Sequence, residues 1–278
     1  MPHLTPTQIA QYHHDGYLVP DWSLPAAQVA VMRADLDGLL AANPHLASDN
    51  LICPHLPEAG VQGLRGSYAW LTYAATLGLV ERVGELIGED LILWGTTLFG
   101  KPAGVGKATP WHQDGQYWPI KPLATCTAWI ALDDCTVANG CLRVIPGSHR
   151  PKRVLRHNTN PSDALTLNQE LDGAEFDERN ARDLELKAGQ MVLFDVYLVH
   201  GSQPNTSAAR RAGFVCRYMP AQARFDHAGG DAFAARSGIV DFSGRALYLV
   251  NGTQPGENDL RRGHAAGRDG FAWHDLVA

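Results

Sequence analysis

The stretch PWHQDGQYWP, residues 110–119, sets His112 two places before Asp114 and surrounds the pair with Trp111, Tyr117, Trp118 and Pro119. In an extended segment, side chains two apart project to the same side, so an imidazole and a carboxylate here can grip one ion together. Alone, an H-x-D triplet is equally two solvated residues in a turn, but the aromatic flanks suit the wall of a pocket better than a wet loop. A second histidine, His200, ends the apolar run VLFDVYLVHGS and is followed by Gly201 and Ser202. By itself it fits a structural role at a strand end. With His112 and Asp114 it completes two imidazoles and one carboxylate, a set that covers one face of an octahedron and leaves three positions open, as in non-haem Fe(II) oxygenases. Eleven residues beyond His200, Arg211 opens the run RAGFVCRYMP. A guanidinium facing into a sheet sandwich needs an anion, and a carboxylate held through two bonds is its best partner. The plain alternative is an exposed arginine beside Arg210.

Residues 1–89 are expected to be mainly helical support. Thr5-Pro6-Thr7-Gln8 is a capping box with proline at the first helical position, opening onto Ile9, Tyr12 and His13. A second helix follows from the stripe Val29, Met32, Leu36, Leu39 and Leu40, and a third from YAWLTYAATLGLVERVGELIG, closed by Gly88. The loop-rich stretch between them is long enough to be functional. From Leu91 the pattern changes to short β-rich runs: LILWGTTLFGKP, ATCTAWIALDD, GCLRVIPGS, QMVLFDVYLVHGS, RAGFVCRYMP and GRALYLVNG. Strands in succession without helices between them predict an antiparallel sandwich or barrel over residues 90–220. Residues 221–278 are expected to be an irregular C-terminal segment. With no repeat and no linker, residues 1–278 are expected to form a single domain.

The chain has 278 residues, is 45% hydrophobic and 19% charged, and carries a formal net charge of −6, so it offers no basic stripe for nucleic acid or an anionic membrane. The partner expected is a small-molecule substrate. The N-terminal residues lack a basic segment followed by an apolar one, and no apolar run is of membrane-spanning length, so a cytoplasmic location is expected. Cys53, Cys126, Cys135, Cys141 and Cys216 are odd in number and never spaced C-x-x-C, which predicts buried reduced thiols rather than zinc or disulfides. Oligomeric state is not legible at this level.

WHQDGQYWPI, TAWIALDDCTVANGCLRVIPGSHR and HGSQPNTSAARR together resemble the phytanoyl-CoA dioxygenase family in residue type, order and spacing, over about residues 90–220. The resemblance implies a mainly β fold with flanking helices, a double-stranded β-helix or jelly roll, that uses Fe(II), 2-oxoglutarate and dioxygen (O2). By motif position it implies His112, Asp114 and His200 as iron ligands and Arg211 as the grip on the far carboxylate of 2-oxoglutarate, assisted by Ser202. Gln113 and Trp129 match positions that line the cosubstrate pocket, and Thr97 is a further candidate there; Gln113 and Trp129 serve equally as supporting or packing residues. Asn139-Gly140 has the composition of a hairpin turn, and His149 in PGSH is expected to organise a loop. His13, His14, His45, His55, His157, His227, His264 and His274 have no such context and default to surface or satisfied packing.

The same resemblance implies oxidation of a substrate carbon coupled to decarboxylation of 2-oxoglutarate to succinate and CO2. Halogenating relatives replace the aspartate by a small residue, so Asp114 implies hydroxylation, with desaturation or another oxidative outcome as the alternatives. GQYWPIKPL and ALYLVNGTQPGENDL are similar to small bacterial members that act on amino acids, amines or aminophosphonates, which implies a small polar metabolite. Tyr117, Trp118 and Arg65 are candidates for its side of the pocket; Arg65 serves equally as an ordinary loop residue or a second cosubstrate anchor. Two other classes remain in view: a catalytically silent member that binds a ligand or partner, and a cupin-like metal hydrolase or isomerase that activates water.

Overall fold

Two antiparallel sheets face each other, and alternation along their strands decides what lies between them. The computed structural model describes residues 3–57, 61–76, 78–229 and 242–260. The larger sheet runs in the order Tyr17–Leu18, Met191–Asp195, Cys126–Ala131, Arg211–Pro220, Leu91–Lys101, Tyr248–Asn251, with Leu51–Ile52 also paired to Leu91–Lys101. The smaller sheet holds Arg182–Leu184, Leu142–Val144, His200–Ser202 and Thr109–His112. This is the jelly roll expected from the sequence.

Along Arg211–Pro220, Ala212, Phe214, Cys216 and Tyr218 join a core shared with the helices. Val215 packs between the sheets, and Arg211 and Arg217 line a cavity there. The neighbouring strand divides the same way: Cys126, Ala128 and Ile130 face the helices, Thr127 and Trp129 the cavity. A period of two thus gives one sheet a dry face and a chemical face. Leu91–Lys101 breaks the alternation once. Arg217 pairs with Gly95 and Tyr218 with Leu93, so Trp94 is the extra residue of a β-bulge. The bulge lets Trp94 and Gly95, consecutive in sequence, both line the cavity.

Helix Pro6–Asp15 begins at the capping box formed by Thr5 and Gln8 and stops at Gly16, whose φ of 82° ends the turn. Helix Ala26–Ala42 buries Val29, Met32, Leu36 and Leu39, with Leu40 part-buried against them. The expected third helix is two, Ala69–Ala74 and Leu79–Ile87. Gly78 breaks it with a φ of 88°, and its N–H is accepted by the Glu81 carboxylate. Apolar periodicity runs through that break, which is why the sequence shows one helix. QMVLFDVYLVHGS likewise divides: Met191–Asp195 lies in the larger sheet and His200–Ser202 in the smaller, and Asp195 Oδ1 accepts from Tyr197 N at 2.9 Å in the turn between them. Two short strands, Tyr17–Leu18 and Leu51–Ile52, interrupt the mainly helical first 89 residues.

The segment expected to be irregular contains strands Arg224–Phe225 and Tyr248–Asn251. Buried Asn258 ties it down, accepting from Phe225 N and donating to Ala221 O and Ala223 O. Residues 230–241 and 261–278, the latter with His264 and His274, lie outside the described residues. All five cysteines are buried and free. His149 organises a loop as expected: Nε2 donates to His13 O at 3.1 Å, and its ring fills the space where Gly16 has no Cβ. Among the described residues, no helix is long and apolar enough to cross a membrane.

Two buried polar residues yield tests of this architecture. Asn205 Nδ2 donates to Lys101 O, Pro102 O and Ala209 O at 2.8–3.1 Å, clamping the loop that leads into Arg211. Asn205→Ala should cost about 2–3 kcal/mol in urea unfolding by stranding those carbonyls, and Asn205→Asp should not rescue, because a carboxylate has no hydrogen to give. His55 is fully buried beside Thr96, and burial, aided by the Arg245 charge, pushes its pKa down to about 3. The unfolded chain therefore takes up a proton below about pH 6.5 that the folded chain refuses, so stability is complete above that pH and falls as acid is added. Between pH 7 and 5 the loss from this group should be about 2 kcal/mol, and His55→Gln should remove that part of the slope.

Candidate active site

His112 ends one strand of the smaller sheet and His200 begins its antiparallel neighbour, so the two pair directly, with ring centroids 4.2 Å apart. Each ring is fixed by the same local device. His112 Nδ1 donates to Pro110 O and His200 Nδ1 to Leu198 O, both at 2.9 Å. A carbonyl can only accept, so Nδ1 carries the proton and each Nε2 presents a lone pair.

Strand Thr109–His112 stops before Asp114, which starts the one-turn helix Asp114–Gln116. Gln113 between them stays extended, so the same-side relation of His112 and Asp114 expected from alternation survives the end of the strand. Asp114 Oδ1 lies 3.7 Å from His112 Nε2 and 3.9 Å from His200 Nε2, and Oδ2 accepts from Thr127 Oγ1 at 3.3 Å. One donor atom from each of the three residues falls within 4.8 Å of the others, and all three residues are buried.

The electrostatics suit the same use. Burial alone would raise the Asp114 carboxyl, but the adjacent His112 imidazole and the charges of His200 and Arg217 outweigh it and hold it at about 2. Burial, then the neighbouring His112, pushes His200 down to about 4. At neutral pH the group is one carboxylate with a neutral His200 beside it. That donor set fits a divalent transition metal and leaves room for further ligands on the cavity side.

Arg211 is 3% exposed, and its Nε and Nη2 both donate to Gly140 O, at 3.1 and 2.8 Å. The Asn139-Gly140 turn aims that carbonyl. Gly140 has a φ of 78°, and a Cβ there would come within 2.3 Å of Gln203 O. The guanidinium lies over the Trp129 ring at 5.2 Å, and Gly213 leaves the space the ring occupies, since a Cβ would sit 2.2 Å from it. Among the described residues no carboxylate stands within ion-pair distance of Arg211. A buried guanidinium served by one carbonyl retains donors for an anion in the cavity, which Ser202, Thr109 and Thr97 also line. The residues present therefore fit a carboxylate cosubstrate.

Tyr117 and Trp118 line the cavity, as do Thr97 and Trp129. Two candidates lie elsewhere. Gln113 is buried, but its amide bridges Arg153 O, Tyr197 O and Leu155 N, so it props the loop beneath the triad and does not border the cavity. Arg65 is exposed and borders no part of the cavity. Its main chain pairs with the Asn43 side chain. Sequence reasoning missed Arg217, which shares a strand face with Arg211 at an even spacing, and Arg245, Trp94 and Thr127, for which no pattern pointed inward. His157 was also passed over; burial pushes it down to about 4, and its Nε2 accepts from Gln113 N at 3.0 Å.

A family model for phytanoyl-CoA dioxygenase (PhyH) matches residues 12–213. The chain is 37% identical over 155 residues to the probable phytanoyl-CoA dioxygenase of Caenorhabditis elegans, 52% of this chain and 49% of that protein, so the match spans about half that relative's length. It is 31% identical over 256 residues to the phytanoyl-CoA dioxygenase domain-containing protein 1 homolog of Dictyostelium discoideum, 78% of this chain and 91% of that one. Among solved structures, the epimerase SnoN in complex with Fe3+, alpha ketoglutarate and nogalamycin RO is similar with a TM-score of 0.62 and 25% identity, over 79% of this chain and 84% of that one. From the length of the family match and the breadth of the Dictyostelium alignment, the chain belongs to the phytanoyl-CoA dioxygenase family.

Proposed function

We propose that this chain is an Fe(II)/2-oxoglutarate-dependent dioxygenase that hydroxylates a C–H bond of a small polar metabolite, releasing succinate and CO2. The observation that carries the reading is the buried His112, Asp114 and His200 set sharing one cavity with Arg211, a guanidinium without a carboxylate. His112, Asp114 and His200 would hold the iron, which supplies the centre where dioxygen and 2-oxoglutarate react. Thr127 orients the Asp114 carboxylate, and the Nδ1 bonds of both histidines keep their lone pairs turned inward.

Arg211 receives the far carboxylate of 2-oxoglutarate, with Ser202 beside it and Trp129 fixing the plane of the guanidinium. Tyr117 and Trp118 wall the cavity and exclude water from the reacting carbon. Positioning then selects which C–H bond reacts. A water-activating hydrolase has no use for an anchored carboxylate, so Arg211 favours the oxygenase over that alternative. Asp114 occupies the third ligand position and favours hydroxyl transfer over halide transfer.

Several measurements check this reading. Anaerobic addition of 2-oxoglutarate to the Fe(II)-loaded protein should give a visible charge-transfer band; its absence would sink the proposal. His112→Ala and Asp114→Ala should each abolish iron-dependent succinate formation. Arg211→Met should raise the KM for 2-oxoglutarate by about 10–100-fold, as loss of a charge-assisted double hydrogen bond implies. Gly213→Ala, which displaces Trp129 from beneath the guanidinium, should raise the same KM with a smaller effect on iron binding; an unchanged KM would remove Trp129 from the cosubstrate site.

A further inference from the structure

Beyond Arg211, the cavity holds two more guanidiniums. Arg217 and Arg245 flank Gly95: Arg217 is its partner across the ladder, and Arg245 Nη1 lies 3.8 Å from where a Gly95 Cβ would sit. Each lowers the free-energy cost of its burial only in part. Arg217 Nη1 donates to Thr97 Oγ1 at 2.7 Å, its Nε is buried without a partner, and the rings of Trp94, Phe99 and Trp118 stand 5.4–6.0 Å from its Cζ. Arg245 is 6% exposed, with Nη1 against Cys53 Sγ and its Cζ 5.1 Å from the Phe242 ring. Among the described residues, neither has a carboxylate at ion-pair distance. The carboxylate whose charge reaches Arg217 is Asp114, already held by the two histidines and Thr127.

Two like charges side by side in a low-dielectric cavity repel and are each costly to desolvate, and the pairing that offsets this is an anion. A second observation points to the same ligand. Trp94 and Tyr117 both line the cavity and are 2% and 7% exposed, and among the described residues the Trp94 Nε1 and the Tyr117 hydroxyl are buried without a hydrogen-bond partner. An indole N–H and a phenol O–H are donors. The cavity lining thus includes four residues with hydrogens to give: Arg217, Arg245 and Trp94 around Gly95, and Tyr117 beside His112.

We propose that the primary substrate carries an oxyanion group, a carboxylate or a phosphonate, which docks between Arg217 and Arg245 with Trp94 and Tyr117 as further donors. This deepens the oxygenase reading by naming the substrate class, and rests on it for the chemistry though not for the binding. Arg211 and Arg217 stand six residues apart on one strand, with the Arg211 guanidinium over Trp129 and Arg217 Nη1 on Thr97 Oγ1, so the anion site proposed here is told apart from the 2-oxoglutarate site at Arg211 by substitution.

The test uses the full-length chain without added iron, 2-oxoglutarate or substrate, in an Arg211→Met background that removes the other anion site. Methylphosphonate and acetate are titrated separately, with acetamide as the neutral control, and thermal unfolding is recorded. At tenfold its dissociation constant, at least one anion should raise Tm by about 2–3 °C, and acetamide should not. Adding Arg217→Met or Arg245→Met should abolish the shift while leaving the ligand-free Tm no lower, because each removes a repelling charge. A phosphonate-only or acetate-only response supports the site and says which oxyanion it takes. No shift with either anion, a shift indifferent to both second substitutions, or a ligand-free Tm several degrees lower in both double variants would overturn the proposal. None of these results depends on iron or 2-oxoglutarate, so failure here leaves the oxygenase reading to the charge-transfer and succinate measurements.

Discussion

The antiparallel pairing of His112 with His200 is the contact on which the rest of the site depends. It brings two imidazoles together from segments 88 residues apart in sequence, and each ring is anchored by a bond to a carbonyl two residues back in its own chain. The tautomer and the ring planes are therefore set by the backbone, before any ion binds, and little conformational freedom remains to be lost on coordination. Asp114 needs only a single extended residue, Gln113, to arrive on the same side. That explains why the Gln113 amide bonds to three backbone groups and not to a ligand: the segment it holds is the one whose register the carboxylate follows.

The two sheets divide the labour by charge. The smaller sheet and its adjoining turn carry the histidines and the one carboxylate, whereas the larger sheet carries Arg211 and Arg217, with Arg245 reaching in beside them. The cavity consequently holds more cationic than anionic groups, and the low dielectric between the sheets magnifies the difference. Lys101 pairs with Arg211 in the ladder without bordering this cavity, and burial and then that arginine push it down to about 7. An excess of buried positive charge makes the ligand-free fold less stable than its apolar packing alone would make it, and every anion that binds recovers part of the loss.

The chemistry of this site was more legible in the sequence than its surroundings. His112, Asp114, His200 and Arg211 stand in short runs whose spacing follows strand alternation, so their types and positions carry the information directly. Ser202 sits on the same strand as His200 and follows from the same rule, whereas Trp129, on Cys126–Ala131, came from the family resemblance. For Gln113 and Arg65 the sequence left a cavity role and a supporting or loop role equally open, because nearness to a motif says nothing about the direction of a side chain in a loop or at a strand end; the structure takes the second alternative for both. The third helix was read as one because apolar periodicity continues through Gly78, where only the backbone φ records the break. Arg245 had no local signature at all: its place beside Gly95 depends on how the segment after Phe242 returns to the sheet.

Arg217 and Trp94 show how a single backbone irregularity shapes recognition. Leu91 and Leu93 face the helices while Ile92 and Trp94 face the other way, and beyond them Gly95, Thr97 and Phe99 line the cavity. The bulge opposite Arg217 and Tyr218 shifts the phase by one residue, so that Gly95 follows Trp94 onto the cavity side instead of facing the helices. Glycine at 95 keeps the adjacent position open for Arg245. The phase shift thus gathers an indole, two guanidiniums and a glycine at one end of the cavity, while the regular part of the same strand keeps Thr97 and Phe99 in step toward Arg211. One strand in this way borders both the Arg211 region and the wall where Arg217 and Arg245 flank Gly95, so the phase of its backbone decides which donors face a second anion.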